Sequence, residues 1–183
     1  MAGLTLLAEE VCVNERTLRR AVSQGTLRGN WSTSRKLDLP LSEREYVRRS
    51  WGLLSTLRIA LRTERNVRFA LLFGSTARGT DTLASDVDVL VCLSDASMAR
   101  LADLSAKLTR LVGRRVDVVE LKDIESEPAV LAQIVGDGRV LVDREQTWPR
   151  LRRREAALRR RGSQDHARRL EGALGGIDRL FAS

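Results

Sequence analysis

Residues 71–91 read LLFGSTARGTDTLASDVDVLV. Leu71 to Phe73 close an apolar run that begins at Val67 (VRFALLF), with the length and β-branched and aromatic content of a buried strand. Gly74-Ser75 interrupts it. After ten intervening residues Asp86-Val87-Asp88 opens a second apolar run that continues to Leu93. Alternate residues of a strand face the same way. The spacing therefore puts the carboxylates of Asp86 and Asp88 on one side and the side chains of Val87 and Val89 on the other.

Two adjacent carboxylates repel and call for a cation. Mg²⁺ suits such hard oxygen ligands and is commonly held by one or two carboxylates together with water and substrate phosphates. A nucleoside triphosphate would bring those phosphates. Gly74 lets backbone approach a phosphate closely, and the Ser75 hydroxyl and neighbouring amides can donate to its oxygens. A third run, VDVVEL from Val116 to Leu121, carries Asp117 among apolar neighbours, where burial would be costly without a cation or partner. If this run lies beside the Asp86 strand, Asp117 completes a three-carboxylate site able to hold two metal ions and to take a proton from an attacking hydroxyl. Glu120 is the rival for that role but faces the opposite side of the strand. The bland alternative is that Asp86 and Asp88 merely cap a turn. His166 is the single histidine, which argues against a Ser-His-Asp triad, a His-rich zinc site or a Cys-His nucleophile. Cys12 and Cys92 form no CxxC pair, so neither a disulfide framework nor a thiolate metal site is expected. Phosphoryl-type transfer needs mainly positioning and charge neutralisation, and no histidine.

Outward from this stretch, Ser97 to Val112 has Leu101, Leu104, Leu108, Leu111 and Val112 at helical spacing and stops at Gly113. Glu127 to Val135 reads as a helix and Arg139 to Val142 as a last short strand. Strands alternating with helices predict an α/β (α+β) core in which helices cover a mixed sheet. Before the core, residues 41–65 form a helix with a Ser42-Glu45 capping box and an apolar surface that includes Tyr46, Leu53, Leu54, Leu57, Ile59 and Leu61. Trp51 is read as packing. After Asp143 arginines dominate from Trp148 to Arg161, where a helix is expected to stop at Gly162-Ser163 before a second one.

The first segment reads as two short helices around a tight turn at Val13-Asn14. Leu6, Leu7, Ala8 and Val11 supply the apolar face of the first. Asn14 is the N-cap of the second, from Glu15 to about Gln24, which Gly25 ends. Leu18, Ala21 and Val22 face inward, leaving Arg16, Thr17, Arg19 and Arg20 outward, where such a helix can lie in a major groove. Gly29-Asn30 signals the turn of a small hairpin, flanked by Arg28, Arg35 and Lys36, which could meet phosphates. The formal net charge is +8, with both ends basic and the middle balanced, as expected of contact with a polyanion. The pattern resembles the helix-turn-helix and wing of small bacterial DNA-binding domains. Such modules often act as dimers on paired half-sites, which leaves room for a homodimer.

The Gly-Ser pair, ten residues and Asp-x-Asp resemble the signature of the polymerase-β-like nucleotidyltransferase superfamily. Ala77-Arg78-Gly79 after the Gly-Ser is similar to its minimal, toxin-antitoxin type. The resemblance implies that Gly74 and Ser75 hold the triphosphate with Arg78 beside it, that Asp86 and Asp88 bind metal, and that Asp117 is the third carboxylate. It further implies Mg²⁺-dependent transfer of AMP from ATP to a hydroxyl on a partner toxin. The basic N-terminal module departs from the solitary minimal domain and favours an antitoxin that also binds its own operator. The rival reading is a DNA-binding regulator with an idle fold, and a weaker one is an aminoglycoside-type enzyme. The expected organisation is a helix-turn-helix and wing over 1–48, a linking helix over 49–65, a nucleotidyltransferase domain over 66–144 and a basic helical tail over 145–183. No apolar run approaches a membrane span and no signal peptide is legible, so a cytoplasmic protein with no membrane partner is expected.

Overall fold

A computed structural model describes residues 2–33 and 36–181, with side chains as far as residue 165. The core is a four-stranded sheet of β3 (Val67–Phe73), β4 (Val87–Leu93), β5 (Val116–Glu120) and β6 (Arg139–Asp143), in the order β5-β4-β3-β6. The β3 strand runs antiparallel to both neighbours, whereas β4 and β5 are parallel. Parallel strands need a crossover, and α5 (Met98–Val112) supplies it, ending at Gly113 in the left-handed conformation. The expected mixed sheet covered by helices is what the chain forms.

Side chains alternate across this sheet. Val87, Val89 and Val91 join Ala70 and Leu72 in one apolar cluster, together with Leu101, Leu104 and Leu108 of α5 and Leu54, Leu57 and Leu61 of α3 (Leu41–Thr63). Leu90, Phe69 and Leu71 point the other way, into a second cluster with Leu131 and Val135 of α7 (Pro128–Asp137) and Leu151 and Leu158 of α8 (Thr147–Phe181). Two short helices, α4 (Gly74–Arg78) and α6 (Leu121–Ile124), follow β3 and β5. The first cluster does not stop at residue 48. It takes in Leu7 of α1 (Ala2–Glu10), Leu18, Ala21 and Val22 of α2 (Glu15–Ser23), and Leu27 and Leu39.

Backbone contacts tie the same segment down: Val140 N–H donates to Gly25 O at 3.0 Å and the Thr26 hydroxyl to Val140 O at 2.6 Å. Below them Arg139, 2% exposed, forms a bidentate pair with Glu43. Among the described residues no helix is long and apolar enough to cross a membrane.

Several local expectations change. The hairpin exists as β1 (Asn30–Trp31) and β2 (Leu37–Asp38), but Gly29-Asn30 is not its turn. Closure comes later, with Ser32 N–H donating to Lys36 O at 3.0 Å, and Gly29 packs where a Cβ would meet Leu39 at 2.8 Å. Ser42 and Glu45 form no capping box, because the α3 helix already starts at Leu41 after Pro40, with no side-chain cap. Gly162-Ser163 does not break α8, which runs on to Phe181. Gly162 lies instead against α7, where a Cβ would come within 2.7 Å of Ala129 Cα. Leu6, Ile59 and Leu111, expected on apolar faces, are exposed at 55%, 66% and 52%.

Candidate active site

Gly74, at the end of β3, has φ +70°. A Cβ there would come 2.2 Å from Asp88 Oδ2. Glycine is thus required twice, by a left-handed backbone and because the Asp88 carboxylate fills the space of a side chain. In the ladder Asp88 stands opposite Phe73 of β3 on one side and Asp117 of β5 on the other. Asp86 precedes β4 by one residue, with its carbonyl accepting from the Thr76 hydroxyl of α4 at 3.3 Å. Burial, then the charges of Asp117 and Asp86, raise the Asp88 carboxyl above its ordinary range, against a smaller opposing pull from Arg78.

The Asp117 and Asp86 side chains are 40% and 43% exposed. Arg115 Nε donates to Asp117 Oδ1 at 2.9 Å and lies 3.9 Å from Asp86 Oδ2. That guanidinium, itself 70% exposed, supplies part of the positive charge the carboxylates lack. Glu120 pairs in register with Val91 and is 5% exposed, three residues beyond Asp117 and away from Asp88. Ser75 is half-buried at the start of α4, its carbonyl accepting from Thr80 N–H at 3.0 Å. Arg78 Nη1 donates to Asp137 Oδ2 at 2.8 Å.

Among the described residues no group of three or more carboxylate, imidazole or thiol side chains is gathered closely enough to hold a metal ion as it stands. A magnesium site needs fewer, since one or two carboxylates and substrate phosphates complete it. The mutual charge stress on Asp88 fits that donor set, and Asp86 and Asp88 are the residues that would hold the ion.

The loop between the Gly-Ser corner and the aspartates is pinned by residues that sequence reasoning missed. Asp81 accepts from Arg49 Nη2 and Arg114 Nη1, both at 2.9 Å, and Arg114 Nη2 also donates to Ser85 O at 2.6 Å. The Arg114-Arg115 pair abutting an apolar strand was a hint only on the arginine side: one arginine clamps the loop and the other reaches the carboxylates.

A family model described as Polymerase beta, Nucleotidyltransferase matches residues 56–147, half of the chain. The chain belongs to this family. No curated protein matches the nucleotidyltransferase. Among solved structures, a protein from Shewanella oneidensis is 15% identical with a TM-score of 0.50, the match covering 67% of this chain and 97% of that one. A toxin-antitoxin crystallised with AMP-PNP is 21% identical, covering 70% and 98%, with a TM-score of 0.46. The toxin-antitoxin MntA-HepT is 18% identical, covering 70% and 96%, with a TM-score of 0.43. At 15% identity the likeness to the Shewanella oneidensis protein is one of fold.

Of the residues expected to meet DNA, Arg16 and Arg20 are exposed on α2, and Lys36 is exposed after the hairpin loop. Arg19 pairs with Glu15 and stands 5.7 Å from the Trp31 ring. The Thr17 hydroxyl donates to Asn14 Oδ1 at 2.9 Å, within the helix cap. Arg28 is exposed as well, with its Nη2 donating to Asp137 O at 2.6 Å. Arg35 lies outside the described residues.

Proposed function

We propose that the protein is a Mg²⁺-dependent nucleotidyltransferase that moves AMP from ATP to a hydroxyl of a partner protein, as the antitoxin of a toxin-antitoxin pair. The observation that carries this reading is the alignment of Asp88 with Asp117 across β4 and β5 beside the left-handed Gly74. Gly74 and Ser75 would cradle the triphosphate, with Arg78 contributing positive charge. Asp86 and Asp88, with Asp117, would hold one or two magnesium ions, which would supply positive charge to offset the phosphates and the leaving group. The acceptor oxygen would attack the α-phosphorus while the bond to the β-phosphate oxygen breaks, releasing pyrophosphate. Asp117 would accept the hydroxyl proton. Toxin-antitoxin complexes among the similar folds, one of them with AMP-PNP, support the choice of nucleotide and partner class.

The test is incubation with α-labelled ATP, Mg²⁺ and the product of the neighbouring gene. Label should move to that protein and stop when a chelator is added. Persistence of labelling in an Asp86→Ala, Asp88→Ala double variant would sink the proposal.

The N-terminal segment supports a second activity, binding to the operator of its own operon. Asn14 Oδ1 caps α2 by accepting from Thr17 N–H at 2.8 Å, and Leu18, Ala21 and Val22 are buried, which leaves Arg16 and Arg20 outward. A gel shift with upstream DNA should be weakened by Arg16→Ala. Strong operator binding with no nucleotide or metal binding would favour the rival, a regulator with an idle fold, for which the Arg115–Asp117 contact speaks.

A further inference from the structure

The sheet edge formed by β6 lies two strands from β4. There an open cleft of about 370 Å³ runs between the ends of α2 and α3 and the start of α8. Its walls carry Arg20, Arg62 and Arg144 with Gln24 and Trp148. Arg58 adjoins them at 8% exposure, with Nη2 donating to Gln24 Oε1 at 2.6 Å and Nε lacking any partner. Burial first, and then repulsion from Arg62 and Arg20, bring its pKa down to about 10. Arg144 donates to the carbonyls of Arg62 and Arg65 at 2.8 and 3.2 Å, which holds its charge at the same place.

Among the described residues no carboxylate forms a salt bridge with any of these four arginines. Asp143 also lines the cleft, but its two oxygens accept Thr147 N–H and Trp148 N–H at 2.9 and 3.0 Å and so cap α8.

A buried cation with an unsatisfied donor and no counter-charge is costly unless something completes it. Guanidinium forks match the geometry of phosphate oxygens, and an aromatic face beside a phosphate site is the arrangement on which bases stack. We propose that this cleft is a second anion site, apart from the carboxylates, which binds the phosphate of a nucleotide unit and sets its base against Trp148. The unit can belong to a free nucleotide or to a nucleic-acid strand. The inference does not need the transfer reaction, and it draws its ligand contacts chiefly from residues outside the outer face of α2.

The full chain is melted in chloride and in inorganic phosphate at equal ionic strength, and titrated with a fluorescein-labelled oligothymidylate and with AMP. Phosphate should raise the wild-type melting temperature, since a ligand bound by the native state alone stabilises it. Arg62→Ala should weaken phosphate and oligothymidylate binding about tenfold, the loss of one charge-assisted contact, while leaving nucleotidyl transfer intact. Arg58→Leu should melt higher than wild type in chloride, because it removes an unpaired buried charge, yet lose the response to phosphate.

Comparable affinity for AMP and oligothymidylate would assign the site to a free nucleotide, and much tighter oligothymidylate binding to a strand; either supports the proposal. Equal melting in phosphate and chloride overturns it. So does oligothymidylate binding that falls with Arg16→Ala but not with Arg62→Ala or Arg58→Leu, which would place nucleic-acid binding on α2 alone and leave the operator reading standing.

Discussion

At Gly74 a missing side chain is what lets an acidic one fit. The Asp88 carboxylate occupies the space where a Cβ would stand, and the backbone has φ +70°. Gly74→Ala should therefore cost about 1–2 kcal/mol in urea unfolding, for the left-handed backbone and the displaced carboxylate, and should lower transfer more than stability. Glu120 is the contrasting acid of the same strand. Its burial raises its carboxyl above 4.5, against backbone hydrogen bonds that lower it, and Oε2 has no partner. Because the folded-state value is raised, the ionised form costs stability: the cost is absent below the unfolded value of 4.5 and grows to its full size as pH rises past the folded value. Glu120→Gln should thus melt higher than wild type at neutral pH, lose that advantage as pH falls toward 4.5, and leave transfer unchanged. A melting series across pH reads this directly, and an advantage that grows on acidification would contradict it. The Asp86-x-Asp88 pair and Asp117 were legible because acids inside apolar runs demand an explanation. The Asp81 clamp was not, since Asp81 lies in a polar loop where an acid raises no question until Arg49 and Arg114 arrive from distant elements.

Among the elements, the strands were the most legible. VRFALLF and VDVLVCL occupy the positions of β3 and β4, since runs buried on both faces leave little choice of conformation. Boundaries set by tertiary contact were not legible. Glycine after arginine-rich sequence reads as a break, yet Gly162 is the residue that lets α8 approach α7. The Ser42-Glu45 box fails because the helix already begins at Leu41, after Pro40, and the next residue after Ser42, Glu43, pairs with the buried Arg139. The α4 helix is five residues long, too short for a periodic signal. Gly162→Leu should destabilise the protein by about 1–3 kcal/mol in spite of its better helix propensity, because the added volume must push α8 off α7. Chemical unfolding with an unchanged or raised midpoint would show that the helices do not pack as described.

Across the whole molecule, one buried ion pair joins segments far apart in sequence. Arg139 donates to Glu43 Oε1 at 2.5 Å and Oε2 at 2.9 Å, and its Nε donates to Ala77 O at 2.6 Å, directly before Arg78. Its guanidinium lies 3.5 Å from the Tyr46 ring centroid, and Glu43 also accepts from Arg28 N–H at 2.9 Å. The N-terminal segment, α3, α4 and β6 thus meet at one polar node next to the α4 helix that begins at Gly74. Glu43→Ala would leave Arg139 buried and uncompensated, so a loss of about 3–5 kcal/mol is expected, with looser attachment of residues 1–40 in limited proteolysis. Charge patterning separated basic ends from a balanced middle, but it carried no information on the shared core that joins Leu7, Leu18 and Leu39 to Leu54 and Leu72.

The central claim is that Asp86 and Asp88 hold a divalent ion for a nucleotide. Mn²⁺ binding followed by electron paramagnetic resonance, with and without ATP, tests it most directly. We expect ATP-dependent Mn²⁺ binding by the wild type, and its loss in the Asp86→Ala, Asp88→Ala variant with an unchanged circular dichroism spectrum. Equal Mn²⁺ binding by the two proteins would contradict the claim.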